Sequence, residues 1–203
     1  MIRRNRLWPE NEPRKFIESR PKEARKRKEV GHWERDLIIG KIQDGANLLT
    51  VVDRKSRYTL IKKVQGKFSA DIAKATKEVF EMEPDLPLKT MTNDNGIEFC
   101  GFTKLEKVLD APIYFTHPYC SWERSTNENT NGLIREFFPK GSSMSQVSDQ
   151  EVQTAEDLLN TRPRKVLGFR TPREILHSVK SKLFRSNHYY RKKINKEEYQ
   201  NSA

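Results

Sequence analysis

The amino-acid sequence predicts an α/β fold, in which a mixed sheet of five strands is flanked by helices. Two observations predict this class. Three strand-like segments follow one another between residues 32 and 64 with only short turns between them, and such strands form an antiparallel meander. Two further strands, at 88–94 and 112–117, are each reached through a helical segment. A strand reached through a helix usually runs parallel to a strand already in the sheet.

The first three strands are predicted from alternation and from apolar runs. In HWERDLIIG, Trp33 and Leu37 fall on one face of the strand and Glu34 and Asp36 on the other, because side chains alternate along a strand. The turn DGAN separates this segment from LLTVVDR, a largely apolar run typical of a central strand. After a second turn, RYTLIKKV predicts the third strand.

The helices are predicted from apolar spacing and from capping residues. Ala70–Met82 and residues 102–110 both carry an apolar stripe at helical spacing. The segment SDQEVQTAEDLLN begins with Ser148 and has Glu151 three residues later, which is the pair that forms a capping box. A last short helix is expected to start at Thr171, which precedes a proline.

The stretch SWERSTNENTNGLIREFFPKG (121–141) predicts another helix, with an unusual start. Its first turns carry Asn127, Glu128, Asn129 and Asn131, although asparagine side chains compete for the backbone hydrogen bonds of a helix. A helix built only for packing would more often carry Ala, Leu or Lys at these positions. Two interpretations are open: a capped helix start on a solvated surface, or a helix that projects Glu128 into a functional site.

The charge of the chain favours an anionic partner. The net charge over 203 residues is +11, which points to nucleic acid first and to an acidic membrane surface second. No apolar run is long enough to predict a transmembrane helix, and the N-terminus lacks the apolar core of a secretory signal. Two cysteines are too few for a disulfide framework, so we expect a reduced, cytoplasmic protein with no membrane partner.

Composition divides the chain into three parts. Residues 1–30 form a basic arm whose three prolines break any long helix, residues 31–177 form the core, and residues 178–203 form a basic C-terminal tail. The arm is either a solvated linker or a segment that lies on DNA phosphates.

Three acidic residues come from three different elements of the predicted core. Asp36 lies within the first strand, where an acidic side chain is costly unless it is paired or bound to a metal. Asp94 ends the fourth strand, and Glu128 arrives on a helix. If these elements meet, their carboxylates can hold Mg²⁺ or Mn²⁺ through oxygen ligands alone. Two such ions, about 3.5–4 Å apart, can promote phosphodiester displacement.

Five sequence blocks resemble the catalytic domain of bacterial insertion-sequence transposases of the IS-thirty family. The resemblance covers residues 31–176 and implies a ribonuclease H-like fold of the retroviral integrase type. It also implies an Asp-Asp-Glu triad, which falls on Asp36, Asp94 and Glu128 with 33 residues between the last two. The blocks are GHWERDLIIG, TVVDRKSRY, TNDNGIEF, SWERSTNENTNGLIREFFPKG and LNTRPRKVLGFRTPREIL.

The resemblance further implies a reaction and a set of partners. A transposase of this kind cleaves DNA at the ends of its element and joins 3′-hydroxyls to target DNA, using two Mg²⁺ or Mn²⁺ ions. We expect a homo-oligomer on the bacterial nucleoid, with a separately encoded or full-length transposase as a further partner. Family members carry helix-turn-helix segments before the catalytic domain, whereas residues 1–30 match only the linker upstream of it. The sequence is therefore expected to be a catalytic fragment, the product of a shortened element, or one half of a split gene.

Other residues are predicted to support the triad or to contact DNA. Glu34 lies on the same strand face as Asp36 and is a candidate supporting carboxylate. Asn95 and Gly96 are expected to shape the turn that presents Asp94, with Gly96 free to take a positive φ. The candidate DNA contacts are Asn127, Asn131, Arg124, Arg135, Lys140, Arg162, Arg164 and Lys165.

Four nearby residues are given more ordinary interpretations. Glu98 is expected to open a turn, and Glu123 competes with Glu128 for the third catalytic position but precedes the helix in a loop. Trp33 and Trp122 are interpreted as packing residues rather than as platforms for DNA bases.

Two alternative functions remain open from the sequence. The chain could be a catalytically idle, DNA-binding remnant that regulates or competes with a full-length transposase. A ribonuclease H or Holliday-junction enzyme on the same fold would explain the metal site, but not the NENTNGLIREFFPKG and RPRK blocks.

Overall fold

A computed structural model describes residue 8 and residues 13–118 and 120–178 of the chain. One sheet contains six strands: β1 (Lys15–Phe16), β2 (His32–Ile39), β3 (Ala46–Asp53), β4 (Thr59–Gln65), β5 (Thr90–Asn93) and β6 (Ile113–Phe115). Their order in the sheet is β1-β6-β5-β2-β3-β4. The predicted meander is confirmed, because β2, β3 and β4 are antiparallel neighbours. The strands reached through helices are also as predicted: β5 is parallel to β2, and β6 is parallel to β5.

Helices cover both faces of this sheet. They are α1 (Lys22–Lys26), α2 (Ser69–Glu81), α3 (Phe102–Leu109), α4 (Ser125–Phe137) and α5 (Asp149–Thr161), followed by a helix over residues 172–178. Ser148 and Glu151 form the predicted capping box at the start of α5. None of the helices within the described ranges is long and apolar enough to cross a membrane.

Two hydrophobic clusters lie on opposite faces of the sheet, as the alternation of β2 requires. Trp33 and Leu37 join the cluster that packs against α2 and α3, whereas Ile38 joins the cluster that packs against α4 and α5. Glu34 and Asp36 share the face of Ile38. The sheet therefore turns both acidic side chains of β2 toward the layer that contains α4.

The edge strand β4 is covered by side chains of α5. Glu156 accepts the backbone N–H of Ile61 at 2.6 Å, and Asn160 both accepts from and donates to the backbone of Thr59 at 2.8 Å. These contacts use strand groups that would otherwise be open to pairing with another chain. Burial raises the pKa of Glu156 to about 7, although the Ile61 N–H favours its charged form.

The predicted count of five strands is wrong, because β1 adds a sixth strand at the far edge, parallel to β6. A strand of only two residues is too short to show an alternation of apolar and polar side chains, so the sequence did not predict it. The segment after β1 packs on the core as well: the Arg20 guanidinium, 5% exposed, donates to Thr92 Oγ1 at 3.1 Å, and Ala24 is fully buried. The three-part division of the chain stays a prediction, and the tail beyond residue 178 lies outside the described residues.

Candidate active site

Asp36 lies on β2, and Asp94 directly follows β5, the neighbouring parallel strand. In the register of β2 and β5, Glu34 pairs with Thr92. Asp36 and Asp94 each follow two residues later, so their side chains emerge at the same level and on the same face of the sheet. Both are half-buried. The sheet thus brings together the two aspartates that the sequence predicted.

One guanidinium joins the two aspartates. Arg124 lies where the 3₁₀ turn Ser121–Arg124 meets α4, and its Nη1 is 3.3 Å from Asp36 Oδ1 while its Nη2 is 2.8 Å from Asp94 Oδ2. Burial lowers the pKa of Arg124, but the Asp36 and Asp94 carboxylates outweigh burial and the net effect is to raise it. The predicted DNA contact at Arg124 is therefore, in this conformation, an internal ion pair.

Glu128 has the helical spacing of the residues that contact the aspartates, but its own side chain is exposed. Residues 124, 128 and 131 are spaced so that they share one face of α4. Of these, Asn131 donates from Nδ2 to Asp36 Oδ2 at 2.8 Å. Arg124 contacts the other oxygen of the same carboxylate, Oδ1. Within the described ranges no group of three or more His, Cys, Asp or Glu side chains is close enough to hold a metal ion. The helix therefore brings Arg124 and Asn131, rather than Glu128, into contact with the aspartates.

Glu34 anchors the first turn of α4 to the sheet. This carboxylate is fully buried; its Oε1 is paired with the Arg54 guanidinium, and its Oε2 accepts the backbone N–H of Asn127 at 3.1 Å. An acidic group is favourable at this place, because the first turn of a helix carries free N–H groups and partial positive charge. Arg57 adds a second link by donating to Thr126 Oγ1. The predicted supporting carboxylate thus acts on the helix that carries Glu128.

The structure does not place Asn127 where DNA could contact it. Its side chain is 0% exposed, and both its Oδ1 and its Nδ2 are buried without a hydrogen-bond partner. Consecutive helix residues point about 100° apart, so the residue before Glu128 turns toward the sheet while Glu128 faces solvent. The asparagines of this helix therefore have different environments, which composition alone does not distinguish.

The turn after β5 fixes the orientation of the Asp94 side chain. Asp94 Oδ1 accepts the backbone N–H of Gly96 at 2.9 Å, and Asn95 donates to the Thr116 carbonyl at 2.6 Å. The prediction that Gly96 takes a positive φ is wrong, since its φ is −63°. A Cβ at this position would lie 2.6–2.8 Å from the carboxylate of Glu98, so a larger residue would displace that side chain.

Glu98 is a fourth acidic group beside the site, which sequence reasoning assigned only to a turn. Burial raises its pKa, and the charges of Asp94 and Asp36 raise it further. Behind it lies Arg35, 1% exposed, whose Nε donates to Asn93 Oδ1 at 3.0 Å. Burial lowers the pKa of Arg35 to about 9, and Asp94 and Glu98 act in the opposite direction. A short 3₁₀ turn (Ile97–Phe99) brings Glu98 back toward Gly96, and nothing in the NGIEF pattern indicated this.

The remaining candidate DNA contacts fall into two groups. Three arginines already have partners: Arg135 donates to the Ile39 carbonyl at 2.9 Å, Arg162 pairs with Glu136 at 2.8 Å, and Arg164 donates to the Leu159 carbonyl at 3.1 Å. Lys140 and Lys165 are exposed. Of these five candidates, the three arginines are therefore paired within the protein, and the two lysines are open to a ligand.

The two tryptophans differ sharply. Trp33 is fully buried and packs edge-on against Phe80, as predicted. The packing interpretation is wrong for Trp122, which is 68% exposed on the 3₁₀ turn before α4. In the same turn, Glu123 contacts the His117 ring at 3.0 Å and accepts the His117 backbone N–H at 2.8 Å. Its contacts place Glu123 in the loop rather than against the aspartates.

Comparison with known proteins shows that the chain is similar to insertion-sequence transposases. It is 39% identical over 160 residues to the transposase InsI of insertion sequence element IS30A from Escherichia coli, covering 79% of this chain and 41% of that protein. The transposase of IS4351 from Bacteroides fragilis is 41% identical over 158 residues, 78% of this chain and 48% of its own. A probable transposase of IS1161 from Streptococcus salivarius is 38% identical over 162 residues, 79% of this chain and 46% of its own.

No protein-family model matches the chain. It spans less than half the length of the relatives named above. The mixed sheet with flanking helices fits the ribonuclease H-like integrase fold that the resemblance implied. Over about 80% of its length, then, this chain is a homologue of insertion-sequence transposases of the IS30 family and related elements, as its five sequence blocks predicted.

Proposed function

We propose that this chain is the catalytic domain of a metal-dependent DNA transposase, which cleaves DNA at insertion-sequence ends and joins the freed 3′-hydroxyls to target DNA. The observation that carries the proposal is the aspartate pair, Asp36 on β2 and Asp94 just after β5. The Arg124 guanidinium contacts both carboxylates. Homology to insertion-sequence transposases supports the reaction class and DNA as the partner. The net charge of +11 suits a polyanionic substrate.

Asp36 and Asp94 are the residues that would hold Mg²⁺ or Mn²⁺, with Glu128 as a third ligand. The guanidinium between the aspartates supports the fit of a cation there, and carboxylate oxygens are the ligands that both ions prefer. When bound, two divalent ions activate the attacking water or 3′-hydroxyl and stabilise the leaving oxygen.

The chain's own residues prepare this site. Asn131 fixes the orientation of Asp36, and the Gly96 N–H fixes that of Asp94. Glu34 sets the position of the first turn of α4, so that Glu128 stays one helical turn from Arg124. Fixed ligands lose little further freedom when a substrate binds, which is how positioning contributes to rate.

The proposed partners are DNA ends, target DNA and further transposase chains. Homo-oligomers on paired ends, or assembly with a separately encoded or full-length transposase, would bring two sites to one pair of ends. Such a reaction would take place on the nucleoid of a bacterial cell. Lys140 and Lys165, both exposed, are proposed phosphate contacts. Lys140 follows the end of α4, and Lys165 follows the end of α5.

The test is Mn²⁺-dependent nicking and strand transfer on a supercoiled plasmid. We expect activity in the wild type and its loss in Asp94→Asn and Glu128→Gln, with circular dichroism and DNA affinity unchanged. Glu123→Gln serves as the matched control, because Glu123 is the rival acidic residue of the same segment.

Each other outcome has a definite meaning. Activity that survives both substitutions contradicts the proposed triad, and loss in Glu123→Gln but not in Glu128→Gln would move the third ligand to Glu123. A wild type that binds DNA without cutting it in Mn²⁺ supports the idle, regulatory alternative. Cleavage of RNA–DNA hybrids in preference to DNA would support a ribonuclease H.

A further inference from the structure

The aspartate pair has no free oxygen in this structure. Asp36 Oδ1 accepts the Leu37 N–H at 2.9 Å and faces Arg124, while Asp36 Oδ2 is bound by Asn131. Asp94 uses Oδ1 for the Gly96 N–H and Oδ2 for Arg124. Among the groups in direct contact with these four oxygens, Arg124 supplies the positive charge.

We propose that Arg124 makes metal binding at Asp36 and Asp94 depend on DNA. In the free protein its guanidinium pairs with both aspartates and offsets one of their two negative charges; when DNA binds, it moves to a backbone phosphate and leaves the aspartates to the divalent ion. The inference rests on the proposed function, since it concerns the same site.

Arg124 and a divalent ion compete for the same place. Both bind through carboxylate oxygens, and two positive charges a few ångströms apart repel strongly where water is scarce. Without any cation, the two aspartates would repel each other in a half-buried position. The arginine therefore stabilises the metal-free site, and by the same contact it opposes the entry of metal.

There is space next to Arg124 into which its guanidinium can move. A cavity of about 310 Å³ lies beside it, lined among others by Asp94, His117 and Cys120. The Arg124 backbone has φ −118° and ψ 37°, which is not helical, so its side chain can turn without unwinding α4. Its Nε is buried without a hydrogen-bond partner, so part of its donor capacity is unused in the present position.

A phosphate is the natural alternative partner for this side chain. The planar fork of a guanidinium matches a phosphate as well as it matches a carboxylate. A DNA backbone that approaches the aspartates would bring phosphate oxygens to the same edge. One exchange then pairs the arginine with a phosphate and frees two carboxylates, whose two negative charges a divalent ion would match.

Thermodynamic linkage gives the expected size of the coupling between DNA and Mn²⁺ binding, and a way to check it. Coupling between two ligands typically changes each affinity by about 5- to 150-fold, and the factor is the same in both directions. If DNA raises Mn²⁺ affinity by some factor, Mn²⁺ must raise DNA affinity by that factor. Removing the charge of Arg124 should abolish most of this coupling between DNA and Mn²⁺ binding.

The experiment measures Mn²⁺ binding by the electron paramagnetic resonance signal of the free ion, with and without a short blunt-ended DNA duplex. The proteins are wild type, Arg124→Gln, Arg124→Lys, Asp94→Asn and Arg173→Gln. The last is the charge-matched control, because it breaks an Arg–Asp pair with Asp157 on α5. Circular dichroism and thermal melting verify that each protein is folded.

We expect weak Mn²⁺ binding in the free wild type and about 5- to 150-fold tighter binding with DNA. Arg124→Gln should bind Mn²⁺ tightly without DNA and gain little from DNA. Arg124→Lys, which keeps the positive charge but lacks the fork that bridges both aspartates, should fall between the wild type and Arg124→Gln. Arg173→Gln should behave like the wild type.

Two results would overturn the coupling. One is an Arg124→Gln protein that binds Mn²⁺ no more tightly than the wild type; the other is an equal effect of DNA in both. If Asp94→Asn still weakens binding in these cases, the metal site stands and only the role of Arg124 fails. Mn²⁺ binding that is absent from every protein, or insensitive to Asp94→Asn, contradicts the proposed metal site itself.

Discussion

Replacing Glu156 by glutamine should stabilise the protein at alkaline pH and do much less at acidic pH. The side chain is buried against β4, and burial raises its pKa to about 7 from the ordinary 4.5. An acid with a raised pKa is harder to ionise in the folded state, so it costs stability once the pH passes the unfolded value. Glutamine keeps the amide oxygen that accepts the Ile61 N–H, but it carries no charge.

The magnitude follows from the two pKa values. One pKa unit corresponds to about 1.4 kcal/mol, so ionised Glu156 costs up to about 3 kcal/mol at pH 8. At pH 5.5 most of the folded protein keeps the proton, and the cost falls to about 1 kcal/mol. Below the unfolded pKa the cost vanishes, because the group is then protonated in both states.

Urea denaturation of wild type and Glu156→Gln at several pH values measures this difference. Asp85→Asn serves as the control, because Asp85 is an exposed acidic residue of the turn after α2. The stability advantage of Glu156→Gln should grow by about 2 kcal/mol between pH 5.5 and pH 8. An advantage that does not change with pH, or a glutamine variant that is less stable at pH 8, would refute the argument from burial.

Three further predictions concern the residues that hold the site. Glu34→Gln should lower the free energy of unfolding by about 3–5 kcal/mol, because it leaves the Arg54 charge buried without its partner, and urea denaturation measures the loss. Gly96→Ala should reduce plasmid nicking, since its Cβ meets the Glu98 carboxylate, and adding Glu98→Ala should restore part of the lost activity. Ser148→Ala should cost about 1 kcal/mol in thermal melts, as expected for a lost N-cap; an unchanged melting temperature would contradict the role of the capping box.

The sequence was sufficient for those parts of the fold and site that depend on local pattern. Alternation along β2 put Asp36 and Glu34 on one face, and the helix before the fourth strand predicted that this strand runs parallel to another. That it lies beside β2, which brings Asp94 next to Asp36, comes from the structure. The capping box of α5 is equally local.

The contacts that define the site depend on side chains from distant segments, and local pattern does not contain them. The bridge by Arg124 requires the meeting of α4 with two strands, and the approach of Glu98 to Gly96 requires a 3₁₀ turn that doubles back. The strand β1 is too short for any periodicity. Asn127 is buried, although Glu128 beside it is exposed, because the rotation of α4 is set by the anchor at Glu34.

The most direct test of the central claim is a crystal structure with bound Mn²⁺, located by its anomalous scattering. The proposal predicts an ion coordinated by oxygens of both Asp36 and Asp94, at about 2.0–2.3 Å, with the Arg124 guanidinium displaced from between them. An ion bound elsewhere on the protein, at a concentration that supports nicking, would contradict the claim that these two aspartates form the metal site.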